Sequence, residues 1–463
     1  MFTESKFTVI VGAGPTGLTL ARELRSRGVP FRILERSPKP FDGSRGKGLQ
    51  PRTLEVLDAM GLLGRFQAVG GLYPSLLIHL PDGGTMEQRM DEVHEPTPSV
   101  PWPNGLMVPQ WRTSELLAEG IPVELGTGVA GLTQDDSGVR LTLDTGEIVT
   151  ARYVVGADGG RSTIRKALGI PFEGSTHEEE RMFIADVRLT GLDRDAWHIW
   201  PEGQGLKLGL CPLAGTDWWQ LTTPEKGKSV EELVAGVDPS ITVTEIGWTS
   251  EFRANMRMAS RFRAGNVFLA GDAAHVHSPA GGQGLNTGIQ DAFNLGWKLA
   301  TGDDALLDTY EAERLPVAAH VLGISTKLHR KQYDGEEDAM RRDDPVLRQL
   351  SLNYRGGPLA AEHRAGPGAV RAGDRAPDAP LADGRIFDLL RGPRATLLAF
   401  GWTGYLPELP GSIAVHRIDD AAAAGAYDVH GPALMLIRPD NYVGCATRDP
   451  QDVVAYAKLI TRE

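Results

Sequence analysis

An α/β fold, in which a dinucleotide-binding fold is interleaved with a mostly antiparallel β-sheet, is predicted by three glycine-rich segments spread along the 463 residues. They read G-A-G-P-T-G at 12–17, A-D-G-G-R-S at 157–162 and A-G-D-A-A-H-V-H-S-P-A-G-G-Q-G-L-N at 270–286. One such segment is weak evidence, because glycine turns are common. Three drawn from distant parts of the chain point to one ligand gripped by all of them.

Residues 7–11 read as a short buried strand, and 18–28 as an amphipathic helix starting just after Gly17. Gly12 permits the tight turn, Gly14 lets backbone approach a pyrophosphate, and Gly17 lets helix pack on strand, with Ala13, Pro15 and Thr16 filling the loop. The pyrophosphate then rests at the helix N-terminus. The next strand, 31–34, ends at Glu35, whose carboxylate can accept hydrogen bonds from both hydroxyls of an adenosine ribose. Residues 1–72, 105–175 and 258–330 carry this α/β pattern.

Residues 73–104 and 176–257 differ. Strands at 181–189, 206–211, 217–222 and 241–248, with turn residues between them, predict the antiparallel sheet. Trp197, Trp200, Trp218, Trp219 and Trp248 fall in this zone. They suit either a sheet core or one wall of a cavity for a flat aromatic substrate. Residues 331–367 turn polar and read as a connecting helix or linker. Beyond it, strand-like runs at 394–400 and 433–438 and an amphipathic helix at 450–460 predict a small α/β domain over 368–463.

Lys and Arg total 48 against 60 Asp and Glu, a net charge of −12. That balance argues against a nucleic-acid or anionic-membrane partner, which would demand a basic face, and for a small molecule. Cys211 and Cys445 are the only cysteines, so no disulfide framework or cysteine metal cluster can form. His275 and His277 have no acidic or histidine partner at ligand spacing, and no metal is expected. No run approaches the ~20 apolar residues of a membrane span. The first residues lead into a strand rather than a signal peptide, so the expectation is a cytoplasmic enzyme, monomer or homodimer.

Taken together, the motifs resemble the single-component FAD-dependent aromatic hydroxylases of the p-hydroxybenzoate hydroxylase type, and within them the polyketide and antibiotic hydroxylases. The resemblance rests on G-A-G-P-T-G, L-E-R at 34–36, S-R-G-K-G-L-Q-P-R-T-L-E from Ser44, P-Q-W-R-T from Pro109, A-D-G-G-R-S, the G-D segment and L-N-Y-R-G-G-P-L from Leu352. The last part of the chain, with G-D-R-A-P-D from Gly373, resembles the thioredoxin-like domain of this branch, without its C-x-x-C. One departure is noted: after W-R-T, 114–120 passes at once into 121–124, so the adenine side of the site is expected to be shallower.

The resemblance implies FAD as cofactor, with NADPH or NADH as co-substrate. It implies that Asp272 bonds the ribityl chain, that Asp158 serves the pyrophosphate and NAD(P)H use, and that Arg45 contacts the cofactor and accompanies its movement. Gln110 resembles a ribityl-side glutamine and Val129 a residue whose backbone meets the adenine. Arg36 either flanks the adenine or phosphates or caps its strand on the surface. The isoalloxazine is expected at 279–286, where Gly282 lets backbone approach a flat ring and a helix starts near Leu285. Backbone N–H groups of Gly284, Leu285 and Asn286 would face flavin N1 and the C2 carbonyl, at a helix end bearing about half a positive charge that stabilises anionic reduced flavin. Pro279 and Arg45 are the candidates nearest the ring's path. Gln290 and Asn294 read as structural.

The reaction so implied runs from NAD(P)H to FAD, then to oxygen at C4a, whose hydroperoxide donates an electrophilic oxygen to an electron-rich ring while a closed cavity excludes water. No catalytic acid or base is identified. Hydroxylation of a polycyclic aromatic polyketide leads; the same chemistry could inactivate a tetracycline or rifamycin, and a flavin reductase or dehydrogenase without oxygen insertion is the third reading. The absence of W-x-W-x-I-P disfavours a halogenase.

Overall fold

The computed structural model describes residues 7–203, 205–278, 281–333 and 341–461. A six-stranded sheet runs in the order Arg263–Ala264, Val267–Leu269, Tyr153–Gly156, Thr8–Val11, Phe31–Glu35, Val123–Leu125. It is parallel except at the Arg263–Ala264 edge. Thr8–Val11 and Tyr153–Gly156 are buried at every position, as the unbroken apolar runs of a parallel sheet covered on both faces must be. A three-stranded antiparallel sheet, Val129–Asp135, Gly138–Leu143 and Ile148–Ala151, adds Val139, Leu141 and Leu143 to the same core.

The first helix, Pro15–Ser26, starts earlier than the sequence suggests. Pro15 sits in its first turn, where a fixed φ and a missing N–H cost nothing. Against it lies the central helix, Gly284–Thr301, buried from Asn286 to Leu299. Close approach of the two requires glycine on the central helix. A Cβ at Gly288 would stand 2.4 Å from Thr16 Oγ1, and one at Gly296 2.5 Å from Glu23 Cβ.

An eight-stranded sheet has the order His275–Val276, Thr242–Ala259, Phe172–Thr190, Trp219–Thr223, Gly205–Pro212, Ala196–Glu202, Ser75–His79, Thr85–Gln88. All its pairs are antiparallel except Ala196–Glu202 with Ser75–His79. Two of the strands foreseen at 181–189 and 241–248 are pieces of far longer ones, 19 and 18 residues. Period-two alternation gives this sheet two distinct faces. Ala185, Val187, Leu208, Leu210, Trp219 and Leu221 pack with Leu233 of the helix Val230–Ala235. Their neighbours in sequence, Ile184, Asp186, Gln220 and Thr222, face a large cavity, as does Ile199 beside the core residue Trp200. The tryptophans divide accordingly: Trp200 and Trp219 are core, whereas Trp197, Trp218 and Trp248 line the cavity.

A five-stranded sheet closes the chain, in the order Ala361–Glu362, Val443–Thr447, Ala433–Ile437, Ala395–Phe400, Ile413–Ile418, with the helix Pro450–Ile460 against it. One of its faces shares a core with Trp297 of the central helix. Beside that contact is a buried ionic cluster. Lys298 Nζ donates to Glu313 Oε2 at 2.7 Å and to Asn294 Oδ1 at 2.9 Å, and Glu313, on the long helix Asp304–Tyr333, also accepts from Arg438. Asn294 donates to Asp440 Oδ2 at 3.0 Å, consistent with its structural reading. Burial pushes Lys298 down to about 8. Burial would raise Glu313, but Arg438 and Lys298 outweigh it and hold the carboxyl below the usual range.

Glu313→Gln leaves Arg438 and Lys298 buried without their shared anion and should cost about 3–5 kcal/mol in urea unfolding. A loss under about 1 kcal/mol, the value of a solvent-exposed pair, would show that the cluster does not hold these elements together.

Candidate functional site

A cavity of about 3740 Å³ lies between the parallel and antiparallel sheets and is lined by residues of all three glycine-rich segments. The first and second segments touch. Gly12 has φ +106° and a Cβ there would stand 2.3 Å from the Ala157 carbonyl oxygen, so only glycine fits. Gly17 packs beneath the same turn, 2.0 Å from the Gly12 oxygen by the same measure, and does not reach the cavity surface. Gly14 is the opposite case: its φ is −76° and nothing lies within 4 Å of an added Cβ. No contact among the described residues requires glycine there, and the position leaves bare backbone facing the cavity. Ala13, Pro15 and Thr16 line the same wall.

Glu35 stands over this loop. Its Oε2 accepts from the Ala13 N–H at 3.0 Å and its Oε1 from the Ser37 N–H at 2.8 Å. A carboxylate has about four acceptor sites, so each oxygen retains capacity for a ligand hydroxyl. Val129 and Arg36 line the cavity beside it, Arg36 exposed with its stem across Gly128.

In the second segment, Asp158 Oδ2 accepts from the N–H groups of Thr163 at 2.6 Å and Ile164 at 3.3 Å at the start of the helix Thr163–Ala167, while its Oδ1 is buried without a hydrogen-bond partner among the described residues. Arg165 bridges segments two and three, donating to the Gly160 and Ala273 carbonyls at 2.8 Å each. Asp272 is exposed, but to the cavity interior, and the enclosing protein raises its carboxyl pKa. Gly282, Gly284 and Leu285 follow on the same wall, where the central helix begins without a side-chain cap. The first-turn N–H groups of a helix have no partner within it. Pro279 lies outside the described residues.

Asn286 follows Leu285 in the first turn of the helix. It is fully buried behind the wall, where its side chain accepts from the Gln50 N–H at 2.8 Å and donates to the carbonyls of Gly48 at 2.9 Å and Gly282 at 2.8 Å. It thereby clamps the 41–50 loop to the third segment. Gln110 Oε1 accepts the Gly46 N–H at 3.0 Å on the other flank of that loop, and Arg45 is exposed from it, 6.0 Å over the Trp248 ring.

Residues the sequence reading passed over complete the loop's anchorage. Ser44 Oγ donates to Asp186, Gln220 Nε2 to the Ser44 carbonyl, and Lys47 Nζ to Gln220 Oε1. Burial pushes Asp186 up to about 6. Ser44 and Lys47 were visible in S-R-G-K-G, but their partners lie 142 and 173 residues away.

An acid reaches His275 as a hydrogen-bond partner, from outside the metal-ligand spacing considered in the sequence. His275 Nε2 bonds Asp291 Oδ2 at 2.6 Å and its Nδ1 meets His277 Nε2 at 3.0 Å, while Arg314 holds the other Asp291 oxygen at 2.7 Å. Asp291 lies 16 residues on, brought back by the helix. Burial would raise Asp291, but Arg314 and His275 hold it at about 2. No group of three or more metal-ligating side chains is formed among the described residues.

Burial, then His275, pushes His277 down to about 3, so it folds as the neutral imidazole. The unfolded chain takes up this proton near pH 6.5 and the folded one does not, so stability is lost as pH falls from about 6.5 toward about 3, at ~1.4 kcal/mol per pH unit. His277→Asn should flatten the pH dependence of the urea midpoint between pH 6 and 4 by about one proton's slope; an unchanged profile would place that titration elsewhere.

Comparison with known proteins agrees with this geometry. The FAD binding domain family matches residues 6–325. A flavin-dependent monooxygenase of Mycobacteroides abscessus is 43% identical over 97% of this chain and 98% of its own. A rifampicin monooxygenase of Streptomyces venezuelae is 36% identical over 96% of each chain. The rebeccamycin biosynthetic enzyme RebC with reduced flavin superposes with a TM-score of 0.82 at 26% identity, covering 98% of each chain. With glycine loops, Glu35 and Asp272 all on one cavity, the chain belongs to the FAD-binding-domain family of flavin-dependent aromatic monooxygenases.

Proposed function

We propose that this enzyme uses NAD(P)H and O2 to hydroxylate a polycyclic aromatic substrate of polyketide type. The observation that carries the reading is a single cavity that runs from the dinucleotide loops to a wall faced by Trp197, Trp218 and Trp248. FAD held in this site would supply the redox chemistry that activates oxygen, with NAD(P)H as the reductant. Glu35, Arg36 and Val129 would hold its adenosine, Gly12 to Thr16 and Asp158 its pyrophosphate, Asp272 and Gln110 its ribityl chain, and Gly282 to Leu285 its ring. The bare backbone at Gly14, the spare acceptor capacity of Glu35 and the uncapped helix start at Gly284 all fit such a group. Arg45 and the region of Pro279 would border the ring.

For the substrate, the tryptophan wall offers flat apolar surface that stacks on aromatic rings and keeps water from the reacting atoms. Inactivation of an antibiotic would use the same arrangement, and the similarity to a rifampicin monooxygenase favours it as the second reading. Residues 368–463 are read as a thioredoxin-like domain without redox function: Cys445 is buried in a strand and burial pushes its thiol up to about 12, far from the thiolate that exchange needs. A cytoplasmic monomer or homodimer completes the proposal.

Asp272→Ala should purify largely free of flavin, with folding checked by circular dichroism; full flavin stoichiometry in that variant would remove Asp272 from the binding site. The wild-type holoenzyme, supplied with NADPH and 18O2 and a panel of anthracyclines, tetracyclines and rifamycins, should oxidise NADPH faster with its substrate and add one labelled oxygen. Faster oxidation without label in any product would favour a reductase.

A further inference from the structure

The sheet-side end of the cavity contains a cation that the cofactor reading does not use. Lys47 sits on the 41–50 loop and points at the cavity face of the antiparallel sheet. Its Nζ donates to Gln220 Oε1 and lies 4.0 Å from the centre of the Trp197 ring. Gln220 is itself held by Ser44, so its carboxamide oxygen is presented to the amine.

Nothing around Lys47 supplies a close counter-ion among the described residues. Cys211 is hydrogen-bonded to it and fully buried, and burial pushes the thiol up, so that group is neutral. Asp186 is the acid that interacts with it, but its Oδ1 is taken by the Ser44 hydroxyl and its Oδ2 is buried without a partner. Tyr73 interacts with Cys211 and Arg342, and both Tyr73 and Arg342 line the cavity. Desolvation lowers the proton affinity of Lys47. Lys47 is half-buried against the cavity and bonded to neutral groups, with no carboxylate at ion-pair distance among the described residues, and a methionine of similar length would fill the position without placing a charge there. An anion arriving in the cavity would restore the balance, and Trp197 lies directly beneath.

We propose that Lys47 is the substrate-binding cation of this site, pairing with an ionised oxygen of the ligand, a phenolate or a vinylogous enolate, whose ring lies against the tryptophan wall. The phenolic proton leaves to solvent, Lys47 keeps its own, and the ring bearing the oxyanion becomes richer in electrons. This rests on the proposed function and narrows the substrate from flat aromatics in general to those with an acidic phenol or enol.

The test uses the FAD-loaded enzyme and two coloured phenols, quinizarin and 4-nitrophenol, whose ionised forms absorb differently from the neutral ones. Titration of each bound phenol should give an apparent pKa at least about one unit below its free value, as a cation within contact produces. Lys47→Met, with flavin content confirmed by absorbance, should abolish the shift and weaken phenol binding about tenfold, the binding equivalent of that one unit. It should leave the binding of anthraquinone, which has no hydroxyl, unchanged. Lys47→Arg should retain most of the shift. The proposal is overturned if the wild type binds neither phenol, if it binds them without a downward shift, or if Lys47→Met shows the same shift. Phenolate capture does not need turnover: an enzyme that shows the Lys47-dependent shift but inserts no oxygen would overturn the proposed function alone, whereas oxygen insertion with a Lys47-independent shift would overturn only this inference.

Discussion

The helix Gly284–Thr301 carries Asp291, Asn294 and Lys298 into the interior, and the need to pair them governs much of the rest. A buried charge is tolerable only with a partner at bonding distance. Asp291 takes His275 and Arg314, and Lys298 takes Glu313, which also takes Arg438. These partners come from the third glycine segment, the long helix and the turn after the strand Ala433–Ile437. The helix start at Gly284, which faces the cavity, is therefore held by charges further along the same helix, and the C-terminal sheet is locked to the glycine-loop half through them.

The other organising element is the 41–50 loop. It lies between the two sheets and is bonded to both: Asn286 and Gln110 grip it from the glycine-loop side, Asp186 and Gln220 from the antiparallel sheet. Arg45 and Lys47 project from it toward different neighbours, Trp248 and Trp197. A net charge of −12 is a property of the surface as a whole; it coexists with a local cation at the end of the cavity where a substrate would lie.

The glycine segments were legible because what they encode is local. The positive φ at Gly12, the packing of Gly17 on the Gly12 carbonyl and the bare backbone at Gly14 belong to one short turn, and the strand and acid that follow complete the pattern; the approach of Ala157 to Gly12 is the part that was not local. The helix at 450–460 was legible for the same reason, with Asp449 capping it, Pro450 in its first turn and an apolar stripe behind. The strands at 181–189 and 241–248 were seen only in part, since paired strands this long continue through polar stretches that carry no alternating signal.

The sequence alone determined the class of fold, the family and the residues of the glycine loops, because backbone conformation and apolar periodicity are set by near neighbours. The tertiary structure decided which tryptophans face the cavity, since alternation separates two faces but does not say which one the helix Val230–Ala235 covers. It also decided that the Asn286 side chain clamps a loop, that His275 has an acid, and that Lys47 meets Gln220 above Trp197. Each of these is a buried polar contact between segments far apart in the chain, and the partner of a buried polar group is chosen by the packing of whole elements, not by the residues beside it.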